Sequence, residues 1–391
     1  MRREIRTIGQ SGYNECMRLG EYAFQYKLSE HDTLDGKLEM EKQLLLGSYV
    51  DNQLAAKLHI LPLELFLGNR TITFGGVAGV ATWPEYRRQG HVDSLIKHAL
   101  VEMKKNDMAV SMLAPFSIDF YRKFGYELSH YKDRVKLKPS DIGQANGNGS
   151  CRRVSFQQAK ETLQQLYERI AKQYSLMMKR EDWWWDKRVL TKDDTIIVYY
   201  NQEKNPTGYL IAKMQDRVLY INEFIYLSED AFLGMLEWIK NHDSMTEQVE
   251  IVLMPNDHLA FYLKNPKISM SKESYFMTRI VDVESLLKQY PYYTAKEEKV
   301  IQLTVTDSIA EWNEGNWTLT LKNGELADLV RTKDEKASVK ISTDIQSLSA
   351  WLFQSESLER LQFFGKIHVE GSTEDIKCAI KPLKPALLDF F

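Results

Sequence analysis

The sequence predicts an α/β protein of mixed (α+β) sheets arranged in three successive segments, and three observations carry that expectation. An apolar run ending at Ala81-Thr82 passes through the basic turn Trp83-Pro84-Glu85-Tyr86-Arg87-Arg88-Gln89-Gly90 into a helical pattern. There the apolar residues Val92, Leu95, Ile96, Ala99, Leu100 and Met103 fall at the i, i+3, i+4, i+7 spacing of a helix with one buried face. An order of strands, helix and strand then returns between residues 195 and 254. Between the two lies Pro139-Ser140-Asp141-Ile142-Gly143-Gln144-Ala145-Asn146-Gly147-Asn148-Gly149-Ser150, small, polar and glycine-rich, which reads as a linker. A chain of 391 residues is also longer than one typical core requires.

In the first segment a helix is expected over Ser11 to Leu28, followed by strands at Leu44 to Val50 and Gln53 to Phe66 around the turn pair Asp51-Asn52. A further strand, Asn69 to Thr82, carries three interior glycines, Gly75, Gly76 and Gly79, which mark a bulge or a close approach. The helix after Gly90 begins with backbone N–H groups that have no intrahelical partner, and its dipole favours an anion there. A turn from Arg87 to Val92 can therefore aim amides at phosphate oxygens, and Gly90 removes the Cβ that would obstruct them. Further on, the stretch from Pro115 to Leu128 reads as a short helix, a glycine stop at Gly125 and a following strand.

Arg-Arg-x-Gly-x-Val paired with Phe120-Tyr121-x-x-x-Gly125-Tyr126 resembles the GNAT superfamily of acetyl-coenzyme A-dependent N-acetyltransferases. The resemblance implies that acetyl-CoA is bound by Val80, Ala81, Thr82, Arg87, Arg88, Gln89, Gly90, His91 and Val92, with a strand bulge bonding the pantetheine arm. It also implies that Tyr121 is the general acid; Tyr126 is read as a strand residue at the core edge. Val92 stands where the family usually has a second small residue, yet its backbone N–H remains available.

Beyond residue 150 a helix is expected over Phe156 to Tyr174, strands at 195–200, 208–213 and 218–226, a helix over Ala231 to Asn241 and a strand at 249–254. No basic glycine turn follows Tyr226, so this resembles a second GNAT fold unable to bind the cofactor. Trp183-Trp184-Trp185 could form an aromatic platform, but no basic groove accompanies it, and core or interface packing is the preferred reading. The last segment leads from the extended stretch 277–283 into a helix, then strands at 299–306, 317–321, 338–342 and 366–371, with helices at 344–353 and 358–364. It resembles a sterol carrier protein fold, and the whole chain is similar to the Eis (enhanced intracellular survival) acetyltransferases. The expected division is 1–145, 146–284 and 285–391.

The chain ends Ala386-Leu387-Leu388-Asp389-Phe390-Phe391, too apolar to stay in solvent. One reading is a simple hydrophobic plug. The family resemblance instead implies that the α-carboxylate of Phe391 is the catalytic base, with Phe24 and Tyr26 walling the acceptor pocket. It further implies an amine acceptor, a small molecule such as an aminoglycoside or a peptide lysine, and a homo-oligomer, a hexamer. Where compared members carry an acid after that phenylalanine, Gln25 and Tyr26 stand here, which weakens the case for polycations. The rival is a lipid-binding sensor or scaffold with a weakly active acetyltransferase domain. For that the third segment would need an apolar tunnel, which Phe353, Leu358, Leu361, Phe363 and Phe364 are expected to fill. Acyl transfer to a hydroxyl is disfavoured by the same family match.

A net charge of −3 without single-sign blocks gives no nucleic acid partner. Charges through the first thirty residues, and no run of about 18 apolar residues, give no membrane partner and a cytoplasmic location. Cys16, Cys151 and Cys378 are odd in number and widely spaced, so they are read as reduced and structural. Eight histidines without ligand spacing give no metal, and the absence of a GxSxG turn argues against a serine esterase.

Overall fold

The computed structural model describes residues 2–293, 298–332 and 337–391. In chain order the first segment contains β1 (Arg3–Thr7), α1 (Tyr13–Phe24), α2 (Glu30–Met40), β2 (Leu44–Val50), β3 (Gln53–Leu67), β4 (Arg70–Thr82), α3 (His91–Lys105), β5 (Val110–Leu113), α4 (Ile118–Arg122) and β6 (Glu127–Leu137). The second contains β7 (Ser150–Val154), α5 (Phe156–Ala171), β8 (Met178–Lys179), α6 (Asp182–Trp184), β9 (Thr195–Tyr200), β10 (Pro206–Gln215), β11 (Val218–Tyr226), α7 (Glu229–Lys240), β12 (Gln248–Leu253) and β13 (Ser269–Ile280). The third contains α8 (Val283–Gln289), β14 (Lys299–Thr306), β15 (Gly315–Lys322), β16 (Glu325–Val330), β17 (Val339–Asp344), α9 (Ile345–Leu352), α10 (Leu358–Phe363), β18 (Ile367–Gly371) and α11 (Thr373–Ala379). These elements form two compact units, one of Met1–Ser129 with Phe276–Leu383 and Phe391, the other of His130–Tyr275 with Lys384–Phe390.

In the first unit the strands follow the order β1-β2-β3-β4-β5, and the Met277–Ile280 end of β13 lies antiparallel beside β5. In this sheet β4 and β5 pair in parallel, because α3 carries the chain across between them. Asp51 and Asn52 both take positive φ, 46° and 68°, as the tight β2–β3 turn requires. One sheet face buries Leu46, Leu58, Ile60 and Val77 against Leu95, Ile96, Ala99, Leu100 and Met103 of α3. The other buries Leu45, Tyr49, Leu54 and Ala81 against Cys16, Met17 and Leu19 of α1.

The third segment completes this unit with a five-stranded sheet in the order β16-β15-β14-β17-β18. Phe353, Leu358 and Leu361 are buried as expected, but Phe363 and Phe364 are 82% and 59% exposed and cannot fill an interior tunnel. The buried positions of the short α10 are Leu358 and Leu361, an i, i+3 pair, and Phe363 falls off that face just before Gly365 turns the chain with φ 65°.

The second unit repeats the plan of the first, with strand order β6-β12-β11-β10-β9-β7 and a parallel β11–β12 pair joined by α7. Its core packs Leu210, Ala212, Leu219, Ile221, Val249 and Ile251 with Phe232, Met235, Leu236 and Ile239 of α7. The glycine-rich stretch after Pro139 is not a free tether. Ile142 and Ala145 belong to this core, Asn148 N donates to Asp230 at 2.7 Å, and Gly149 N donates to the Tyr199 hydroxyl at 2.7 Å. Its small residues serve close approach, since a Cβ on Gly147 would come within 2.7 Å of the Gly234 backbone. Trp184 and Trp185 are core residues, with Trp185 stacked on Phe156 and edge-on to Tyr167, so they offer no stacking platform.

Candidate active site

The parallel strands β4 and β5 pair only over Phe74–Val77 and Val110–Leu113. Past that point β5 ends while β4 continues to Thr82, and the two part. In the parted stretch β4 bulges: Lys57 opposes Ala81 and His59 opposes Ala78, so Gly79 and Val80 together face Leu58. Gly79 has φ 57°, the left-handed value that an αL-type bulge needs and glycine supplies without strain. Backbone groups of Val80, Ala81 and Thr82 on the β5 side are thereby left outside the ladder.

Beyond Thr82 a 3-10 turn, Pro84–Tyr86, leads into Arg87, Arg88 (φ 60°), Gln89 and Gly90 (φ 78°), all exposed. Gly90 is the N-cap of α3, with no side chain capping the helix, so the first-turn amides, His91 and Val92 among them, face outward without an intrahelical acceptor. The turn's carbonyls are occupied instead. Arg3 Nη1 donates to Gln89 O at 3.1 Å, and its Nη2 donates to Gly90 O at 2.6 Å and to Ser94 Oγ at 3.0 Å. Arg3 thus ties down the acceptors and adds positive charge beside the free donors, a combination suited to pyrophosphate. The His91 side chain turns inward to Ser48 Oγ at 2.8 Å, and burial, aided by Arg3, pushes its pKa down. A neutral His91 contributes its backbone rather than its charge.

Tyr121 lies in α4 in the segment that follows β5, buried among Phe116, Phe120 and Tyr126. Among the described residues its hydroxyl has no hydrogen-bond partner, and burial pushes its pKa well above the ordinary phenol value. Tyr126 differs. Its hydroxyl bonds Ser111 Oγ at 2.7 Å, Ser111 donates onward to Gly75 O at 3.1 Å, and its pKa is pushed up to about 12 by burial. The segment between the tyrosines is pinned by Arg279, which donates to Phe124 O and pairs with Asp307 at 2.6 Å, both side chains buried.

Phe391 packs on the sheet face opposite α3. Its ring lies 5.8 Å from Phe74 and 4.7 Å from Phe276, and a Cβ on Gly76 would come within 2.9 Å of it. It is 8% exposed, whereas Phe390 is 64% exposed, so one of the two terminal rings docks fully. Along the same face from Leu61 come His59 and Lys57, alternate residues of β3. His59 Nδ1 bonds Gln43 Oε1 at 3.0 Å, which leaves Nε2 to accept from Lys57 Nζ at 3.2 Å and Cys16 Sγ at 3.4 Å. Lys57 has no carboxylate partner among the described residues, and burial lowers its pKa. Burial also raises that of Cys16, against the opposing effect of Lys57.

Tyr26 joins this group: a Cβ on Gly20 would meet its hydroxyl at 2.9 Å and Lys57 Nζ at 3.0 Å. Phe24, at the end of α1, is exposed. Arg3, Lys57 and His59 were not expected from the sequence. The available signal was Lys57 and His59 interrupting Leu54-Ala55-Ala56-x-Leu58-x-Ile60 on one strand face.

In the second unit the tail is held by a buried network. Arg180 Nε and Trp184 Nε1 donate to Asp389 Oδ1 at 2.8 and 2.7 Å, and Arg180 also pairs with Glu223 at 2.5 Å. The Arg180 guanidinium lies over the rings of Tyr167 and Trp185 at 3.9 and 4.6 Å, and the carboxylates beside it hold its pKa well above the ordinary value against the cost of burial. Asp389 lies two residues before Phe391. Among the described residues no three His, Cys, Asp or Glu side chains are grouped as a metal site, and no helix is long and apolar enough to cross a membrane.

Residues 4–129 match a GNAT acetyltransferase domain, residues 176–280 match another, and residues 283–388 match a sterol carrier protein domain. No curated protein matches the sequence. Among solved structures, the chain is similar over the full length of both chains to a conserved protein of unknown function from Enterococcus faecalis V583, described as a probable N-acyltransferase (26% identity, TM-score 0.92). It also shares its fold with a GCN5-related N-acetyltransferase from Anabaena variabilis ATCC 29413 (23% identity, TM-score 0.86, both chains covered completely). Eis1 from Mycobacterium abscessus shares the fold at 16% identity and TM-score 0.80, with 99% of this chain and 100% of that one covered. With two GNAT domains, of which the first carries the parted strands and the uncapped helix start, followed by a sterol carrier protein domain, the chain is a tandem GNAT acetyltransferase.

Proposed function

We propose that the first unit transfers an acetyl group from acetyl-CoA to an amine by direct attack on the thioester. The observation that carries this reading is the continuity of the parted β4 edge, bulged at Gly79, with the uncapped start of α3 at Gly90. Backbone groups of Val80, Ala81 and Thr82 hold the pantetheine arm, and amides from Arg87 through Arg88, Gln89, Gly90 and His91 to Val92 hold the pyrophosphate. The bound cofactor supplies an activated acetyl thioester. Tyr121 donates a proton to the departing thiolate; its raised pKa keeps it protonated at neutral pH, and its hydroxyl is free for the task.

The Phe391 α-carboxylate accepts the proton that the acceptor ammonium must lose before its nitrogen attacks, directly or through water. A terminal carboxyl has an ordinary pKa of about 3.3–3.7, so at neutral pH it is ionised and also attracts the cationic acceptor. Phe24 and Tyr26 wall the acceptor side. The acceptor is a small-molecule or peptide amine, an aminoglycoside or lysine being the two classes to separate, and the assembly is a closed homo-oligomer, six subunits built as paired trimers, in the cytoplasm.

Mass spectrometry of products after incubation with acetyl-CoA and a panel of aminoglycosides, polyamines, lysine peptides and alcohols tests the reaction class. Mono- or multiply acetylated amines are expected. Exclusive ester formation, or no transfer to any amine, would overturn it.

A further inference from the structure

The second unit contains an opening equivalent to the acetyl-donor slot of the first. Strands β11 and β12 pair in parallel only over Val218–Ile221 and Gln248–Ile251, after which β11 runs on to Tyr226 and α7 begins. Where they part lies a cavity of about 390 Å³, within the ~300–1,000 Å³ range of small-molecule sites.

Its chemistry is the reverse of a phosphate site. Leu227-Ser228-Glu229-Asp230 occupies the place of a basic glycine turn, Ser228 caps the helix by accepting from Ala231 N at 3.2 Å, and two acids stand in the first turn of α7. The cavity lining contains the carboxylates of Glu229 and Asp257 and neither lysine nor arginine. Asp257 is held in one orientation, accepting from the Tyr226 hydroxyl at 2.7 Å and from Leu259 N at 2.8 Å. Phe232 meets Tyr226, Tyr262 and Phe224 at ring separations of 5.0, 4.8 and 5.9 Å, so an aromatic cluster forms one wall, with Ile170, Ile225 and Met254 adding apolar surface and Gln173, Asn256 and His258 adding polar groups. Aromatic rings with the fixed carboxylate of Asp257, a second at Glu229 and neither lysine nor arginine favour a ligand that is positively charged at one end and apolar along its body. An anion would be repelled by both carboxylates with no lysine or arginine to offset them.

We infer that the opening between β11 and β12 binds an organic cation, an ammonium carried on an apolar body, in the domain whose cofactor turn has been replaced. The site is separate from the proposed acetyl transfer and stands whether or not that reading holds.

The test uses the full chain and phenyltrimethylammonium, a quaternary cation that cannot be acetylated, titrated calorimetrically at moderate salt with benzenesulfonate as the anionic control. The cation is expected to bind. The Glu229→Gln/Asp257→Asn double variant should lose one binding site or weaken it about tenfold, with melting temperature and acetyl-CoA affinity unchanged. Tyr262→Ala, at a partly exposed position, should weaken the same site about threefold. Undetectable cation binding, equal binding of benzenesulfonate, or full affinity in both the double variant and Tyr262→Ala would overturn the assignment.

Discussion

Replacing Tyr121 and Tyr126 one at a time by phenylalanine separates the proposed acid from a neighbouring tyrosine whose ring centroid is 6.1 Å away. The Tyr121 hydroxyl makes no hydrogen bond among the described residues, so Tyr121→Phe removes no native contact and should leave stability within about 0.5 kcal/mol of wild type. Turnover should fall roughly 10²–10⁴-fold, the usual worth of a general acid, with acetyl-CoA affinity unchanged. Tyr126→Phe deletes the 2.7 Å bond to Ser111, which keeps its own bond to Gly75 O. It should cost about 0.5–1.5 kcal/mol of stability and leave turnover within severalfold. Thiol release from acetyl-CoA gives the first quantity and urea unfolding the second. Equal losses of turnover, or a greater loss in Tyr126→Phe, would refute the assignment of roles.

Gly90→Glu places a carboxylate at the anion site and forces a residue with φ 78° into a left-handed backbone at about 1–2 kcal/mol. Calorimetry should show acetyl-CoA binding lost in a folded protein. Asp307→Ala leaves the Arg279 guanidinium buried without its carboxylate, and urea unfolding should show a loss of about 3–5 kcal/mol. Burial raises the pKa of Tyr121, Tyr126, Tyr167, Tyr209 and Tyr290 in the folded state, so each favours folding fully below about pH 10 and withdraws that support as pH climbs toward the folded value. Absorbance at 295 nm should therefore show these phenols ionising only together with unfolding above about pH 10, and a reversible early titration of all the tyrosines would contradict it.

The elements readable in the sequence were those whose local signals agreed with their burial. The i, i+3, i+4 stripe from Val92 to Met103, the Asp51-Asn52 turn and the glycines of β4 each had a single structural solution. Several elements had no such signal, β1, β7, β16 and α11 among them, and α2 and β5 show why. Helix α2, Glu-His-Asp-Thr-Leu-Asp-Gly-Lys-Leu-Glu-Met, has little apolar face and is set by the Ser29–Asp32 capping box, and β5 is four residues long. The stretch from Pro139 misled because glycine and asparagine mark both flexible tethers and close backbone packing, and composition cannot tell them apart.

At the site, the turn and Tyr121 stood out as a motif and Lys57 with His59 as polar residues in an apolar run, whereas Arg3 and Arg279 act across long sequence separations that no local pattern records. Arg3 reaches Gly90 and Arg279 reaches Phe124 only once the sheet has formed. The docking of Phe391 was legible from the apolar ending, but its counterpart Asp389, bound to Arg180 and Trp184, was not.

The central claim is that the chain's own terminal carboxylate is the base, and the most direct measurement is the turnover of a protein extended past Phe391 by a short Gly-Ser tail. The extension moves the carboxylate while leaving the Phe391 ring able to pack on Gly76, Phe74 and Phe276. Turnover is expected to fall at least about 10²-fold, with acetyl-CoA affinity unchanged and Phe391→Leu far less affected. Full turnover of the extended protein from about pH 6 to 9 would contradict the claim and return the role of base to a side chain.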